Sequence, residues 1–242
     1  MPRYRDMSFS FGPALTPMVK KLLIATGAAF VVTYLPAQIF GWAYPYFLFG
    51  LEPYAVVHRF AIWQLVTYLF LHAGFFHIIF NLFALWMFGP DLEKEWGSSQ
   101  FLFFYFLTGI GAGIVQVVVM PSSTSMTIGC SGAIYGLLLA YGLIFPERLI
   151  YLYMLIPIRA KWFAVLMGVI EFVSSFGTPG SGVAHVAHLG GMLFGYVYLR
   201  GARLPFRIRG RFDDWRRARL RKRFDSYMRK HEKRDDAGRW VN

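Results

Sequence analysis

Long apolar runs separated by short polar breaks set the pattern of this chain. Six runs can be marked, at about 20–41, 63–88, 100–120, 130–146, 161–176 and 184–200. They lack the strict alternation of strands that face lipid on one side and a lumen on the other, so helices are expected rather than a barrel. A spanning helix needs roughly 20 apolar residues, within a range of about 17–25. By that measure the fourth and fifth runs are the least sharply defined spans. Between them, residues 149–158 are apolar but broken by Pro157 and flanked by Arg148, Arg159 and Lys161. That stretch is too short to span and reads as a loop at the interface.

The charged residues orient the pattern. Arg3, Arg5, Lys20 and Lys21 precede the first run, and Arg148, Arg159 and Lys161 separate the fourth from the fifth. Arg200 opens a basic tail after the sixth. Six spans place all of these on one side, the cytoplasm, together with both termini. The loop holding Asp91, Glu93, Lys94 and Glu95 falls on that side too, and Arg59 is the exception outside. A rival reading takes 20–41 as a signal peptide, because Lys20 and Lys21 precede an apolar core. The run is long for one, and cleavage would leave five spans and export the tail. Residues 41–62 carry Trp42, Tyr44, Tyr46, Phe47, Phe49 and Tyr54, so this loop is expected at headgroup level on the outer face.

Composition excludes a soluble domain. Of 242 residues, 56% are hydrophobic and only 16% charged, against roughly 25% charged in soluble domains. The mean hydropathy is +0.44. Net charge is +12, but residues 201–242 hold 15 Lys and Arg against 6 Asp and Glu. The tail, not the body, is basic. Anionic membrane lipids are its expected partner; nucleic acid is disfavoured, because no nucleic-acid motif accompanies the charge. Within it, Phe212, Trp215, Leu220, Phe224 and Met228 recur at roughly helical spacing. Residues 211–234 read either as a surface-lying amphipathic helix or as a disordered charged tail. The expected organisation is a cytoplasmic segment at 1–19, a membrane domain at 20–200 and a cytoplasmic tail at 201–242. Cys130 is the single cysteine, so no intrachain disulfide can form.

Polar residues inside the apolar runs carry the candidate chemistry, since polar groups at that depth are costly and tend to mark function. Ser131 lies among Gly129, Gly132 and Gly136, which spacing places on one helix face. Such a face lets another helix approach closely, so the serine is either incidental to packing or a nucleophile. The pattern is not a Gly-x-Ser-x-Gly elbow, because Ala133 stands in the last glycine's place. His188, Gly191 and Gly195 share a second small-residue face. Contact between the two faces would bring the imidazole within reach of the Ser131 hydroxyl, and a serine needs such a base. His185 is a rival base nearer the span end. His77 and Asn81, four apart, share a face of the second span. They are either an interhelical polar link or donors for a developing oxyanion. His72 is expected to face elsewhere. Glu171 reads as a proton carrier or as a group beside a water-filled mouth. No metal or cofactor is expected, because the histidines fall on different helices without an acidic or thiolate partner at ligand spacing.

Together these residues resemble the rhomboid family of intramembrane serine proteases. The family's Gly-x-Ser-Gly is matched by Gly129, Cys130, Ser131 and Gly132, followed by Tyr135 and Gly136. Its His-x-x-x-Asn is matched by His77 and Asn81, with His72 ahead at a familiar distance. Its sixth-span pattern is matched by Ala187, His188, Gly191 and Gly195, and its turn after the second span by the stretch around Glu93. The resemblance covers about residues 20–200. It implies an all-α, six-transmembrane-helix bundle of the plasma (inner) membrane that cleaves transmembrane protein substrates. Ser131 would be nucleophile and His188 general base, a dyad without an aspartate. The Ser131 N–H, His77 and Asn81 would line the oxyanion hole, and Tyr135 would pack against His188. The alternative is a catalytically inactive relative that binds membrane clients; a transporter built on Glu171, His77 and Asn81 is a third reading. Trp63-Gln64 departs from the Trp-Arg of some members, a structural position. Cys130 reads as a small packing residue.

Overall fold

In the computed structural model, which describes residues 13–152, 156–176 and 184–201, Pro17 opens the first helix. Arg3, Arg5 and residues 202–242, with the lipid-binding and amphipathic readings of the tail, lie outside the described residues. Two compact units divide the chain, Met1–Val197 and Tyr198–Asn242. Of the second, only the end of the last helix is described.

Helix α1 (Pro17–Phe40) has proline in its first turn, where the missing N–H costs nothing, and Gly41 at its end in the left-handed conformation, φ 67°. It buries a single stripe, Val19, Leu22, Thr26, Phe30 and Thr33, at helical spacing. Its first N–H groups have no partner within the helix. The Glu93 carboxylate supplies one, accepting from Met18 N at 2.9 Å and Val19 N at 3.0 Å. Thr16 Oγ1 and Ser98 Oγ also donate to it.

The segment after α1 folds into short helices, α2 (Tyr44–Phe49), α3 (Pro53–Arg59) and α4 (Gln64–Thr67), with a 3-10 turn at Tyr68–Phe70. Trp42, Tyr44 and Phe47 are exposed. Trp63 Nε1 donates to Leu48 O at 2.8 Å, and buried Gln64 accepts from Glu52 N at 3.0 Å. The departure at Trp63-Gln64 therefore still ties the loop together.

The second apolar run, expected at 63–88, does not start where hydropathy places it. Helix α5 runs Phe75–Trp96. Leu71 turns extended and Gly74 interrupts the helix, so residues 63–70 belong to the loop instead. α5 continues through Pro90 and buries Ile78, Asn81, Leu85, Phe88 and Leu92 on one stripe. After Gly97 the chain enters α6 (Ser98–Val119). Helix α7 (Ser131–Ile144) is buried nearly all round.

Residues 149–158 form more than a loop. Strands β1 (Leu149–Leu152) and β2 (Ile156–Arg159) pair antiparallel, with Leu149 opposite Arg159. A purely α fold is corrected to that extent. The hairpin is anchored by charge: Arg148 pairs with Asp91, and Glu147 with Arg159 (3.1 Å) and Lys161 (2.5 Å). Helix α8 (Ala160–Ser174) follows, then α9 at residues 185–201.

Among the described residues three helices, α1, α5 and α6, are long and apolar enough to cross a bilayer. α7 has 14 residues and α8 has 15, about 21 and 22 Å against a hydrocarbon core of about 30 Å. The outward faces are apolar: Val32 on α1, Phe76 and Phe80 on α5 and Val173 on α8 are each more than 60% exposed. Faces of that kind take lipid as their solvent.

Glu93→Gln keeps the shape of this capping group but loses its charge and one acceptor oxygen. A buried donor left without a partner costs about 1–3 kcal/mol. The expected outcome is a lower melting temperature for the detergent-solubilised protein; an unchanged value would show that α1 docks without this cap.

Candidate active site

Close helix contact brings the site together. A methyl group built on Gly191 of α9 would collide with the Gly132 carbonyl oxygen of α7. One built on Gly195 would lie 3.4 Å from the Gly136 carbonyl oxygen. A methyl on Gly132 would also lie 2.5 Å from Ala112 Cβ of α6. The helices thus meet backbone to backbone, as small-residue faces permit in a membrane. Gly129 is not part of that face. It precedes the helix at φ +115°, and a Cβ there would lie 2.7 Å from His77 Nε2.

Ser131 stands at the first position of α7 and His188 in the first turn of α9. His188 Nε2 lies 2.7 Å from Ser131 Oγ. The Tyr135 ring, one turn along α7, stacks on the imidazole with centroids 4.4 Å apart and planes 14° from parallel. His188 is buried, while Ser131 is part-exposed. The exposed polar residues Ser122, Thr124 and Ser125 lead into α7.

His77 and Asn81 face the turn ahead of Ser131. Ala73 N donates to His77 Nδ1 at 3.3 Å. The acceptor nitrogen is thereby Nδ1, so Nε2 carries the proton and points toward Gly129. Asn81 Nδ2 donates to His77 O at 2.9 Å and lies 3.8 Å from the Gly129 Cβ position. One of its two hydrogens is spent in that bond; the other is free to face the turn. The first N–H groups of α7 have no partner in their own helix. His77 and Asn81 thus approach the backbone at Gly129, two residues before Ser131.

Two expectations change here. His72 does not face elsewhere. It precedes the start of α5, so helical spacing from His77 does not apply. Its ring is fully buried, 4.9 Å from that of His77, with Nε2 3.7 Å from Cys130 Sγ. Glu171 does not line a mouth as an isolated acid. It is 5% exposed; Oε1 accepts from the Tyr135 hydroxyl, and Oε2 lies 2.6 Å from His185 Nδ1 and 3.0 Å from His188 Nδ1. The His188 contact has ion-pair distance without the alignment of a hydrogen bond. No sequence spacing announces this cluster, because Glu171 and the two histidines come from different helices.

The same cluster corrects the reading that no acidic partner reaches the histidines. Glu171, His185 and His188 present ligand atoms within 4.8 Å of one another, a set whose donor types suit zinc. Both carboxylate oxygens are already engaged, Oε1 by the Tyr135 hydroxyl and Oε2 by His185 Nδ1.

A multi-pass helical membrane protein with a serine and a histidine in contact at one end of its bundle is the class these features define. A family model described as Rhomboid domain matches residues 59–203, more than half of the chain. The chain belongs to the rhomboid family. It is 31% identical over 162 residues to Rhomboid protease GluP of Bacillus subtilis (strain 168), covering 65% of this chain and 29% of that protein. It is 34% identical over 168 residues to Rhomboid-like protein 11, chloroplastic, of Arabidopsis thaliana, covering 61% and 55% respectively. RHOMBOID-like protein 1 of Arabidopsis thaliana is 32% identical over 157 residues, with 62% of this chain and 38% of that protein covered. The chain therefore spans about a third to about half of the length of these relatives.

Gly191→Ala forces a methyl against the Gly132 carbonyl. Overpacking of this kind costs about 1–3 kcal/mol, so thermal unfolding should shift down. Gly27→Ala, with nothing within 4 Å, should leave it unchanged or raise it by about 0.5–1 kcal/mol. Equal behaviour of the two variants would refute the close contact.

Proposed function

We propose that the chain is an intramembrane serine endopeptidase hydrolysing peptide bonds in or near the transmembrane segments of other membrane proteins. The observation that carries this reading is the 2.7 Å approach of His188 Nε2 to Ser131 Oγ. Family membership and a relative named as a rhomboid protease support it.

The chemistry follows from the geometry. Oγ of Ser131 adds to the scissile carbonyl carbon while His188 Nε2 takes the hydroxyl proton. The carbonyl oxygen becomes negative and is met by the Ser131 N–H and by His77 and Asn81. His188 then returns the proton to the amide nitrogen, the C–N bond breaks, and the amine leaves an acyl group on Ser131. Water adds to that ester and gives a proton to His188. Collapse releases the acid and restores the serine. Water has a route from the polar stretch ahead of α7, which would open to the outer face. A peptide bond inside an intact spanning helix is shielded by its backbone hydrogen bonds. The scissile region must therefore unwind, and weak helix formers near a substrate's outer end are favoured.

Six spans, α1 and α5 to α9, fit this function, with α7 and α8 short because the site sits below the outer surface. Both termini would be cytoplasmic in a plasma membrane, with the membrane domain at 20–200 and the tail at 201–242 held against anionic lipid. The reaction requires no cofactor.

A fluorophosphonate probe should label the membrane-embedded protein and fail with Ser131→Ala and His188→Ala. His77→Ala and Asn81→Ala should each lower kcat on a transmembrane substrate by about 10²–10³-fold, the loss typical of one oxyanion donor. A folded parent that takes up no probe would instead be a catalytically inactive client-binding protein.

A further inference from the structure

We propose that Glu171 is a positioning residue for His188: its carboxylate holds the imidazole in the Nδ1–H tautomer and steadies the imidazolium that forms when Ser131 gives up its proton. The site would then be a serine–histidine–glutamate relay, where the family resemblance implies a dyad alone. This rests on the reading of Ser131 and His188 as nucleophile and base.

Glu171 sits on α8 amid apolar residues, with Val169, Ile170, Phe172 and Val173 exposed around it. Its own side chain turns inward. A carboxylate in that setting is tolerated only when its oxygens are met, and they are met by the site itself. Tyr135 donates to Oε1. His185 and His188 bring their Nδ1 atoms to Oε2, at 2.6 and 3.0 Å. None of these partners is on α8, so the carboxylate ties α8 to α7 and α9 at the level of the serine.

The proton's location follows. A neutral imidazole has one N–H and one lone pair. A lone pair on Nδ1 with a carboxylate oxygen 3.0 Å away would be repelled, so the proton belongs on Nδ1. Nε2 is then the acceptor, facing Ser131 Oγ, which is the state a general base needs. His188 is thus fixed on three sides: by Ser131 at Nε2, by Glu171 at Nδ1, and by Tyr135 across its ring face. Tyr135 is itself bonded to Glu171, so the ring plane and the carboxylate are set together. During attack His188 becomes positive within the bundle, where a bare charge is poorly tolerated. The adjacent carboxylate answers that charge at the moment it forms. The loose alignment at Nδ1 suits this order, since catalytic hydrogen bonds often tighten only as the reaction proceeds. His185 Nδ1, the other ligand of Oε2, holds the carboxylate in place from the span end.

The test uses the full chain in liposomes, with a transmembrane substrate, the fluorophosphonate probe, and Glu171→Gln, Glu171→Asp and Glu171→Ala. An amide at 171 turns a donor toward Nδ1 and favours the wrong tautomer. The corresponding change in the Ser-His-Asp enzymes lowers kcat by about 10⁴-fold. The expected result is a loss of kcat of about that order in Glu171→Gln with KM unchanged, partial activity in Glu171→Asp, and partial restoration of Glu171→Ala by added formate. The tautomer is read separately by ¹⁵N NMR of His188 in the Ser131→Ala background, with a thermal melt of each variant showing that it is folded. Nδ1–H there, changing to Nε2–H when Glu171→Gln is added, supports the proposal. Nε2–H with Glu171 intact, or full kcat in Glu171→Gln, overturns it. A parent that neither binds the probe nor cleaves, like its Ser131→Ala variant, overturns the protease reading and the catalytic meaning of the contact with it, whatever the tautomer.

Discussion

The site depends on how closely α7 and α9 can approach. Gly191 lies against the Gly132 carbonyl and Gly195 against Gly136, with no room for a side chain between the first pair. Lipid offers no hydrophobic reward for bringing two apolar helices together, so dispersion across closely fitted backbones must do it. That fit fixes the separation and rotation of both helices. Ser131 and His188 then fall within 2.7 Å of each other because each sits one residue or three from a contact glycine. Positioned this way, the pair inherits the rigidity of two closely packed helices.

The turn before α7 answers a second constraint. A helix start leaves N–H groups without partners, and in a bilayer such groups are expensive. Here the helix start follows Gly129, against which His77 and Asn81 lie. Gly129 makes that close approach possible. Its φ of +115° suits glycine, and a methyl group would press on His77 Nε2. Its own N–H donates to Tyr68 O at 2.9 Å, and Tyr68 in turn donates to Gly109 O at 2.7 Å. The loop is thus pinned to α6.

How much of this could be read from sequence follows from which features are local. The glycine rows at 132 and 136, and at 191 and 195, were legible because helix faces follow from spacing of three and four. Their meeting was a fair inference, since two such faces need partners. His77 and Asn81 were legible for the same reason. Gly129 was assigned to a helix face that begins only after it, because spacing cannot see where a helix starts. The start of α5 is hidden likewise: residues 63–70 carry no charge to interrupt the apolar run, and only Gly74 and the turn at Leu71 separate them from the helix. His72 was misjudged by carrying helical geometry across that break. The β1–β2 hairpin was hidden by Pro157, which suggests a loop although an edge strand tolerates it.

Two buried glutamates show why polarity within a span does not by itself reveal a role. Glu93 and Glu171 are each 5% exposed or less, and both sit in predominantly apolar helices. Glu93 takes its hydrogen bonds from backbone N–H groups of α1 and from the hydroxyls of Thr16 and Ser98. Each of those donors keeps its proton throughout, so the interaction can only hold one helix to another. Glu171 takes its contacts from a tyrosine and two imidazoles. One of those imidazoles is the base proposed to gain and lose a proton in every half-reaction, so the strength of its contact with Glu171 must change as the reaction runs. A contact that changes with the charge of its partner can favour the transition state over the ground state, and that difference is what accelerates a reaction. The partners distinguish the two roles, and the partners of Glu171 are set by the register of α8 against α7 and α9, which no single stretch of the sequence encodes.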